Sequence, residues 1–510
     1  MQSQPVTSRV TSDPDNEKAG SVHYLEEIAE AGHVATDAFG NPLITIDEQA
    51  QKRLLRKLDM ILIPPVALIY LFCFVDRANI GNARLAGLER DLNLVGYDYN
   101  ILLTSFYVAY VVGELPAQWL NKRLGVGKMI AAWCFLFGLF SFVMTFVQSF
   151  GAGIAVRFLL GLAEGGVFPG IALYLSRFYR NSELAFRLSL YIVCAPLAGA
   201  FGGLLASGIL KIDSFHASER WRNIFFIEGL ITMGIAVVSW FILFDDPQKA
   251  KWLTEEEKAL CAARVKIDNV GMPKVIDSLS TKAMIESMTN PTTLITSMIF
   301  LLDNITVQGL GFFLPTVIRT LFPGRSTIEL QLRTVPPYIV GAGLTLLVPY
   351  ASWKTNRRVI YMIGSAVPMI VGYVMFVASN NLNVKYAAAF IVACGAFSFG
   401  PLCNAVVAIN ATSDSAKTGA LGLCVLMGNL GGLIATWVFL PDDSPRYLRA
   451  NGINLGTSSG IFVLSIVLLL YQLRQNKKKA AGHHDHVLEG KTADEIAILG
   501  QRHPGFLFKL

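Results

Sequence analysis

The sequence predicts an all-α membrane protein with twelve transmembrane helices. The chain of 510 residues is 53% hydrophobic and only 16% charged, whereas soluble proteins carry about 25% charged residues. Its apolar residues also gather into runs of about 20, the length at which a helix crosses the roughly 30 Å hydrocarbon core of a bilayer. The composition therefore excludes an ordinary soluble protein.

The apolar runs form two series of six. The predicted helices lie at 57–84, 98–120, 128–148, 152–175, 186–211 and 221–244, and then at 291–320, 331–352, 358–378, 384–410, 417–440 and 457–474. Two such series indicate a duplicated architecture with a central path. The predicted divisions are a cytoplasmic N-terminal tail (1–55), an N-terminal six-helix domain (56–244), a cytoplasmic linker (245–290), a C-terminal six-helix domain (291–474) and a cytoplasmic C-terminal tail (475–510).

Basic residues mark one side of the predicted bundle. Lys and Arg gather in the connections at 121–128, 176–187, 353–358 and 474–479, whereas the turn near 148–152 has no basic residue. By the positive-inside rule, these connections, the linker and both termini lie in the cytoplasm. The first 50 residues are too polar for a secretory signal, so we expect the first helix to direct insertion.

The linker carries one local helix signal. Thr254 and Glu257 stand three residues apart in LTEEEK, the spacing of a capping box that opens a helix. We interpret this helix as a surface strut between the two halves rather than a binding module, because a run of charges usually solvates a face.

Four ionisable residues interrupt the first series of apolar runs: Asp76 and Arg77 on the first helix, and Arg157 and Glu164 on the fourth. Each such group costs at least roughly 2.5–3.5 kcal/mol in hydrocarbon, so it needs a partner or a function. Adjacent residues point about 100° apart, so Asp76 and Arg77 cannot pair well with each other. Arg157 and Glu164 are seven apart and share a face. We predict that all four side chains meet in a hydrated cavity.

This set of charges fits an anion site that is coupled to protonation. Arginine binds a carboxylate through paired hydrogen bonds and stays charged, whereas Asp and Glu can gain and lose a proton. We predict that Arg157, helped by Arg77, holds the negative group of a substrate, and that Asp76 and Glu164 exchange protons. Two purely structural salt bridges remain an alternative, although a buried ion pair is weak evidence for stability.

Polar residues on the second series can reach the same cavity. Asp303, Asn304 and Gln308 lie midway along helix seven, and Asn429 lies on helix eleven. Asn304 and Gln308 are four apart on one face, and we predict that they bind substrate together with Asn429. Amides also serve as plain interhelical contacts, and that alternative stays open. We predict that Glu114 on helix two, and similarly Glu228 on helix six, form structural or gating pairs.

Motifs for other chemistry are absent from the sequence. It contains no P-loop, HExxH or GxSxG pattern, and its seven cysteines show no paired spacing. We therefore expect no enzyme activity and no catalytic residues. We also expect no cofactor, no bound metal and no nucleic-acid partner.

Several segments are shared with a known family: CFVDRANIGNAR (73–84), YVVGELP (110–116), RFLLGLAEGGVFPGIALYLSRFYR (157–180) and RWRNIFFIEGL (220–230). In order and spacing they resemble the anion:cation symporter family of the major facilitator superfamily, most closely its fungal allantoate permease branch. The resemblance covers nearly the whole chain after residue 50.

The resemblance implies the major facilitator fold, in which two six-helix domains alternate access by rocking. It also implies proton-coupled movement of small organic anions such as carboxylates, vitamins or ureido acids. In that family, residues matching Asp76, Arg77, Arg157 and Glu164 contribute to anion binding and proton coupling, so the resemblance implies those roles for these four residues.

From these observations we predict a proton-coupled symporter of a small organic anion. The protein is expected to be a multi-pass monomer of the plasma membrane whose partners are the anion, protons and the lipid bilayer. Two alternatives stay open: an exporter of a small-molecule metabolite, and a nutrient sensor that binds its ligand without transport.

Overall fold

The structure is a computed structural model that describes residues 48–180, 183, 187, 191, 193–212, 220–268, 281–411, 414–482 and 506–509. Every regular element in these ranges is a helix, which confirms the predicted all-α class. Four predicted features fall wholly or partly outside the described residues. These are most of the N-terminal tail, the first turns of helix five, the middle of the linker and most of the C-terminal tail.

Twelve membrane helices are present in the described ranges. In the first half they are α1 (Glu48–Leu85), α2 (Asp98–Leu124), α3 (Val126–Met144), α4 (Phe150–Leu175), α5 (Cys194–Ile209) and α6 (Arg220–Ile242). In the second half they are α7 (Pro291–Leu321), α8 (Thr327–Thr355), α9 (Arg358–Ala378), α10 (Leu382–Asn410), α11 (Asp414–Ala435) and α12 (Leu448–Ala480). Ten of them are long and apolar enough to cross a bilayer. The other two are α2, which carries Glu114, and the shorter apolar α5.

The helix ends differ from the predicted ones where polar turns continue a helix. α1 begins at Glu48 rather than at 57, and α12 spans Leu448–Ala480 rather than 457–474. Hydropathy marks only the apolar part of a helix. The polar turns at 48–56 and 475–480 are rich in Gln, Lys, Arg and Leu, which favour helix. They therefore extend these helices beyond the apolar stretch.

Glycines allow a close approach beside Glu164. The helical segments of α4 end at Glu164 and resume at Val167, with Gly165 and Gly166 between them. A Cβ on Gly165 would lie 2.9 Å from the carbonyl oxygen of Tyr110 on α2. Only glycine lets two backbones come so close. The break therefore fixes the position of Glu164 against α2.

Most helices pack mainly against helices of their own half, whereas α5 and α8 pack most against each other. α2 packs on α4, α3 on α6 and α1 on α5, while α7 packs on α11 and α9 packs on α10 and α12. The halves meet where α5 contacts α8, α1 contacts α7 and α2 contacts α11. The exact boundaries of two domains stay a prediction.

The halves are joined by polar contacts at one end of the bundle, which we call the distal end because Glu48 and Ala480 lie at the other. Tyr97 donates from its hydroxyl to Asp442 Oδ2 at 2.6 Å. Asn100 donates from Nδ2 to the carbonyl oxygen of Thr436, and Gln331 Nε2 donates to the carbonyl oxygen of Asn82 at 3.2 Å. We call these contacts the distal seal.

The linker helix Glu255–Asp268 begins with the predicted capping box. The amide of Thr254 donates to Glu257 Oε2 at 2.9 Å, and the amide of Glu257 donates to Thr254 Oγ1 at 3.3 Å. Burial raises the pKa of Glu257, but hydrogen bonds from Lys57 and Thr254 outweigh it, so this pKa lies below its ordinary value. Lys57 of α1 contacts Glu257 at 2.5 Å. This ion pair attaches the linker to the first half.

A short C-terminal segment, Phe506–Lys509, lies against the proximal ends of α10 and α12. Asn476 accepts from the Phe508 amide at 2.7 Å and donates to the Phe508 carbonyl at 2.8 Å. Asn410 makes the same pair of bonds to Lys509, at 2.9 and 3.3 Å. These contacts hold the segment on the second half.

Candidate functional site

A cavity of about 100 Å³ lies between the halves, on the proximal side of the distal seal. A single water needs roughly 10–15 Å³ of such volume, so the cavity has room for several waters or a small solute. Its wall in the first half is largely aromatic, and its wall in the second half is richer in polar side chains. The described lining includes one basic and one acidic side chain, Arg77 from α1 and Asp303 from α7.

Arg77 is held in the aromatic wall by a carboxylate and three rings, those of Phe74, Phe106 and Tyr110. Its Nε donates to Glu164 Oε2 at 2.7 Å. Its guanidinium carbon lies 4.8 Å from the ring centre of Phe74 and 4.7 Å from that of Tyr110, within the range of a cation–π interaction. The arginine is therefore positioned before any ligand arrives.

Glu164 lies behind Arg77 and is fully buried. Besides Arg77, its Oε2 accepts from the thiol of Cys73 at 3.2 Å. Its second oxygen, Oε1, has no hydrogen-bond partner among the described residues. A buried carboxylate with one unsatisfied oxygen has a clear place for a proton. The ion pair therefore combines a charge at the cavity wall with an acid behind it.

Asp76 points away from Arg77, as expected for neighbours on a helix. Ser141 of α3 donates to Asp76 Oδ1 at 2.6 Å, and Oδ2 lacks a hydrogen-bond partner within the described ranges. Asp76 therefore faces α3, whereas Arg77 faces α4 and the cavity.

Arg157 lies near Asp76 and does not line the cavity. It is 2% exposed, and its guanidinium carbon lies 5.5 Å from the ring centre of Phe225. Its Nε and Nη2 find no hydrogen-bond partner in the described part of the chain, but its charge interacts with those of Asp76 and Glu164. The structure thus brings the four predicted charges together, with Arg77 alone of the four at the cavity wall.

Glu228 of α6 belongs to the same buried region. It is fully buried, and neither carboxyl oxygen has a hydrogen-bond partner in the ranges that the structure describes. Asp76 is close enough to interact with it electrostatically. We call Asp76, Arg157, Glu164 and Glu228 the inner cluster.

The three predicted amides line the cavity. Asn304 Nδ2 donates to the Phe300 carbonyl of its own helix at 2.9 Å, and Gln308 lies one turn further along. Asn429 Nδ2 donates to Glu114 Oε2 at 3.2 Å, across the two halves. The amides therefore share one cavity with Arg77, and their role in binding substrate stays a prediction.

Two features of the cavity wall were not predicted from the sequence. Tyr70 and Phe74 line the cavity beside Arg77, and their spacing of four and three residues along α1 was a usable signal for one shared face. Asp303 also lines the cavity and is 1% exposed. Its position beside Asn304 was visible, but the sequence does not give the rotation of α7 relative to α1.

A twelve-helix bundle with a charged cavity between its halves defines a polytopic membrane transporter. The sequence model of the Major Facilitator Superfamily matches residues 66–436. The chain therefore belongs to the Major Facilitator Superfamily, a family of transporters and not of enzymes, and it is a multi-pass membrane protein.

Similar proteins agree with this assignment. The chain is 31% identical over 437 residues to an uncharacterized transporter of Schizosaccharomyces pombe, covering 85% of each chain. It is 30% identical over 432 residues to the high-affinity nicotinic acid transporter of Saccharomyces cerevisiae, covering 84% of this chain and 80% of that one.

A solved structure shows the same fold. A bacterial homologue of the human lysosomal transporter Spinster, in an inward-facing and unoccupied conformation, superposes with a TM-score of 0.62 at 15% identity. The match covers 83% of this chain and 97% of that chain. The predicted major facilitator fold is thereby confirmed.

Proposed function

We propose that this transporter is a proton-coupled symporter of a small organic anion, in the allantoate permease branch of the anion:cation symporters. The observation that carries the proposal is the ion pair between Arg77, at the cavity wall, and Glu164 behind it. A cation that faces a solute cavity recognises a negative group, and a carboxylate that competes for the same cation couples recognition to a proton.

Competition for Arg77 accounts for the direction of coupling. While Glu164 is ionised, its Oε2 occupies Arg77 Nε at 2.7 Å. A proton on Glu164 removes the negative charge from this pair and leaves the guanidinium for the carboxylate of the substrate. Proton and anion therefore favour each other's binding, and by linkage the effect is reciprocal. This is the thermodynamic requirement for symport.

Arg157 and Asp76 have a supporting role in this proposal. Arg157 interacts with Asp76 and Glu164 and lies outside the cavity lining. We propose that it balances the charge of the inner cluster while protons enter and leave, with Asp76 as a second proton site. Direct contact between Arg157 and the substrate, as predicted from the sequence, would require a different conformation.

We propose that the cavity faces the cytoplasm, and the distal seal supports this orientation. If both termini are cytoplasmic, the seal closes the external side, and the cavity faces the cytoplasm. We propose that rocking of two six-helix domains, 56–244 and 291–474, opens this seal and exposes Arg77 to the outside. We propose further that the protein works as a monomer in the plasma membrane.

Gly81→Val tests this assignment of the seal. A Cβ on Gly81 would lie 2.7 Å from the Phe312 carbonyl oxygen of α7, so valine should force α1 and α7 apart at the distal end. Overpacking of this kind costs about 1–3 kcal/mol. Such a cost shifts the equilibrium from the conformation with the closed seal to the one with the open seal by roughly 5- to 150-fold. A cysteine introduced at Val307 of the cavity wall, in a cysteine-free background, should react faster with an impermeant maleimide added outside.

The matched control is Gly234→Val, because a Cβ on Gly234 meets nothing within 4 Å. It should leave the labelling rate unchanged. Equal labelling of the two variants would show that the α1–α7 contact does not keep the cavity closed to the outside.

The nicotinic acid transporter supports the proposed substrate class. Nicotinic acid is a carboxylic acid, and the relative named for it is similar to this chain over most of both lengths. A carboxylate matches the guanidinium fork of Arg77. We therefore propose small carboxylates as the first substrates to test.

Uptake into proteoliposomes tests the proposal. Labelled nicotinate and other small carboxylates should accumulate above the external concentration when the outside is made more acidic, and a protonophore should abolish the accumulation. Uptake of a carboxylate that is indifferent to the protonophore would rule out proton coupling. Transport of neutral solutes but of no carboxylate would rule out the anion class.

A further inference from the structure

The wall of the cavity opposite Arg77 carries an acid that the proposed mechanism does not use. Asp303 of α7 lines the cavity and is 1% exposed. Its Oδ1 is buried and has no hydrogen-bond partner among the described residues. Buried polar atoms are almost always paired, so an unpaired one calls for a specific explanation. Because Oδ1 is closed off, a group in the cavity would meet this carboxyl group at its other oxygen, Oδ2.

Among the lining residues that the structure describes, the one positive charge is Arg77 on the first half, and no ion pair joins it to Asp303. The polar lining residues next to it on α7 are the amides of Asn304 and Gln308, and Asn304 already donates to its own helix. Tyr373 of α9 and Cys403 of α10 lie close enough to interact with the carboxyl group. Neither brings a positive charge to the site.

The basic and the acidic lining residue, Arg77 and Asp303, therefore stand on opposite halves of one cavity. Arg77 can bind a carboxylate, and Asp303 can accept hydrogen bonds from an N–H group, most strongly when that group is positively charged. Tyr70, Phe74 and Tyr110 line the same space, and aromatic rings pack well against other rings. The cavity can therefore accommodate a ligand that has a carboxylate, an aromatic ring and an N–H group.

Resting on the proposed function, we propose that the substrate is a small aromatic carboxylate that also bears an N–H donor, bound with its carboxylate at Arg77 and its nitrogen at Asp303. A hydrogen bond to a charged group changes affinity by roughly 10- to 100-fold. The donor should therefore improve binding by that factor over the same ring without nitrogen.

Three related probes test this inference: benzoate, 3-aminobenzoate and 4-aminobenzoate. In proteoliposomes of the native transporter, at least one aminobenzoate should compete with uptake roughly 10-fold better than benzoate. In Asp303→Leu, both aminobenzoates should fall to the level of benzoate, while benzoate uptake persists and shows that the variant is folded. Asp303→Asn keeps the shape of the side chain and should retain an intermediate preference.

The outcomes separate this inference from the proposed function. If the native protein transports benzoate and the aminobenzoates equally well, the donor site is wrong and the anion symporter stands. If it transports none of the three but moves other small carboxylates, the aromatic class is wrong. If no carboxylate is moved at all, the proposed function fails. Loss of benzoate uptake in folded Asp303→Asn would overturn the donor role, because Asp303 would then be needed by a substrate without nitrogen.

Discussion

Glu164→Gln is expected to abolish uphill accumulation of the anion while exchange of labelled for unlabelled anion continues. Glutamine keeps the size of the side chain but cannot ionise, so Arg77 loses its competing charge and remains available to the substrate at every pH. Binding should then be independent of pH, and a proton gradient should no longer drive uptake. Uptake and exchange in proteoliposomes at two pH values measure both effects.

The control for this experiment is Glu256→Gln, which changes an exposed acid of the linker helix. It should accumulate anion as the unaltered protein does. Accumulation by Glu164→Gln at the level of the unaltered protein would show that another group, such as Asp76 or Glu228, carries the coupled proton.

Arg77→Lys should weaken anion binding by roughly 10- to 100-fold, since lysine keeps the charge but lacks the fork that pairs with a carboxylate. The same exchange at Arg157 should change affinity much less, because Arg157 does not line the cavity. Equilibrium binding of a labelled carboxylate to the purified variants provides the comparison. A larger loss in Arg157→Lys would restore the sequence-based assignment, in which Arg157 holds the substrate.

The number of helices could be predicted because each needs a long apolar run to cross the bilayer. The cluster of buried charges could be predicted as well, since Arg157 and Glu164 repeat on one face of α4 and hydrocarbon is an unfavourable place for either. Sequence periodicity gives the face of a single helix. It does not give the rotation of that helix relative to its neighbours.

For this reason the sequence did not show which of the two arginines, Arg77 or Arg157, faces the cavity. Arg77 is turned toward Glu164 of α4 and is held there by this carboxylate and by rings of α1 and α2. The neighbouring Asp76 is turned toward Ser141 instead. Asp303 was visible beside Asn304, but only the packing of α7 against the other helices places it in the wall of the cavity.

The attachment of Phe506–Lys509 has a practical consequence for measuring the motion of the transporter. Asn410 and Asn476 form hydrogen bonds to the main chain of this segment. The position of the segment therefore follows α10 and α12. A fluorophore coupled to Lys509 would therefore report the orientation of the second half rather than local motion of the segment itself. A second dye can be placed on the linker helix Glu255–Asp268, which the ion pair with Lys57 attaches to the first half. The distance between the two dyes would then follow the movement of one half relative to the other during transport.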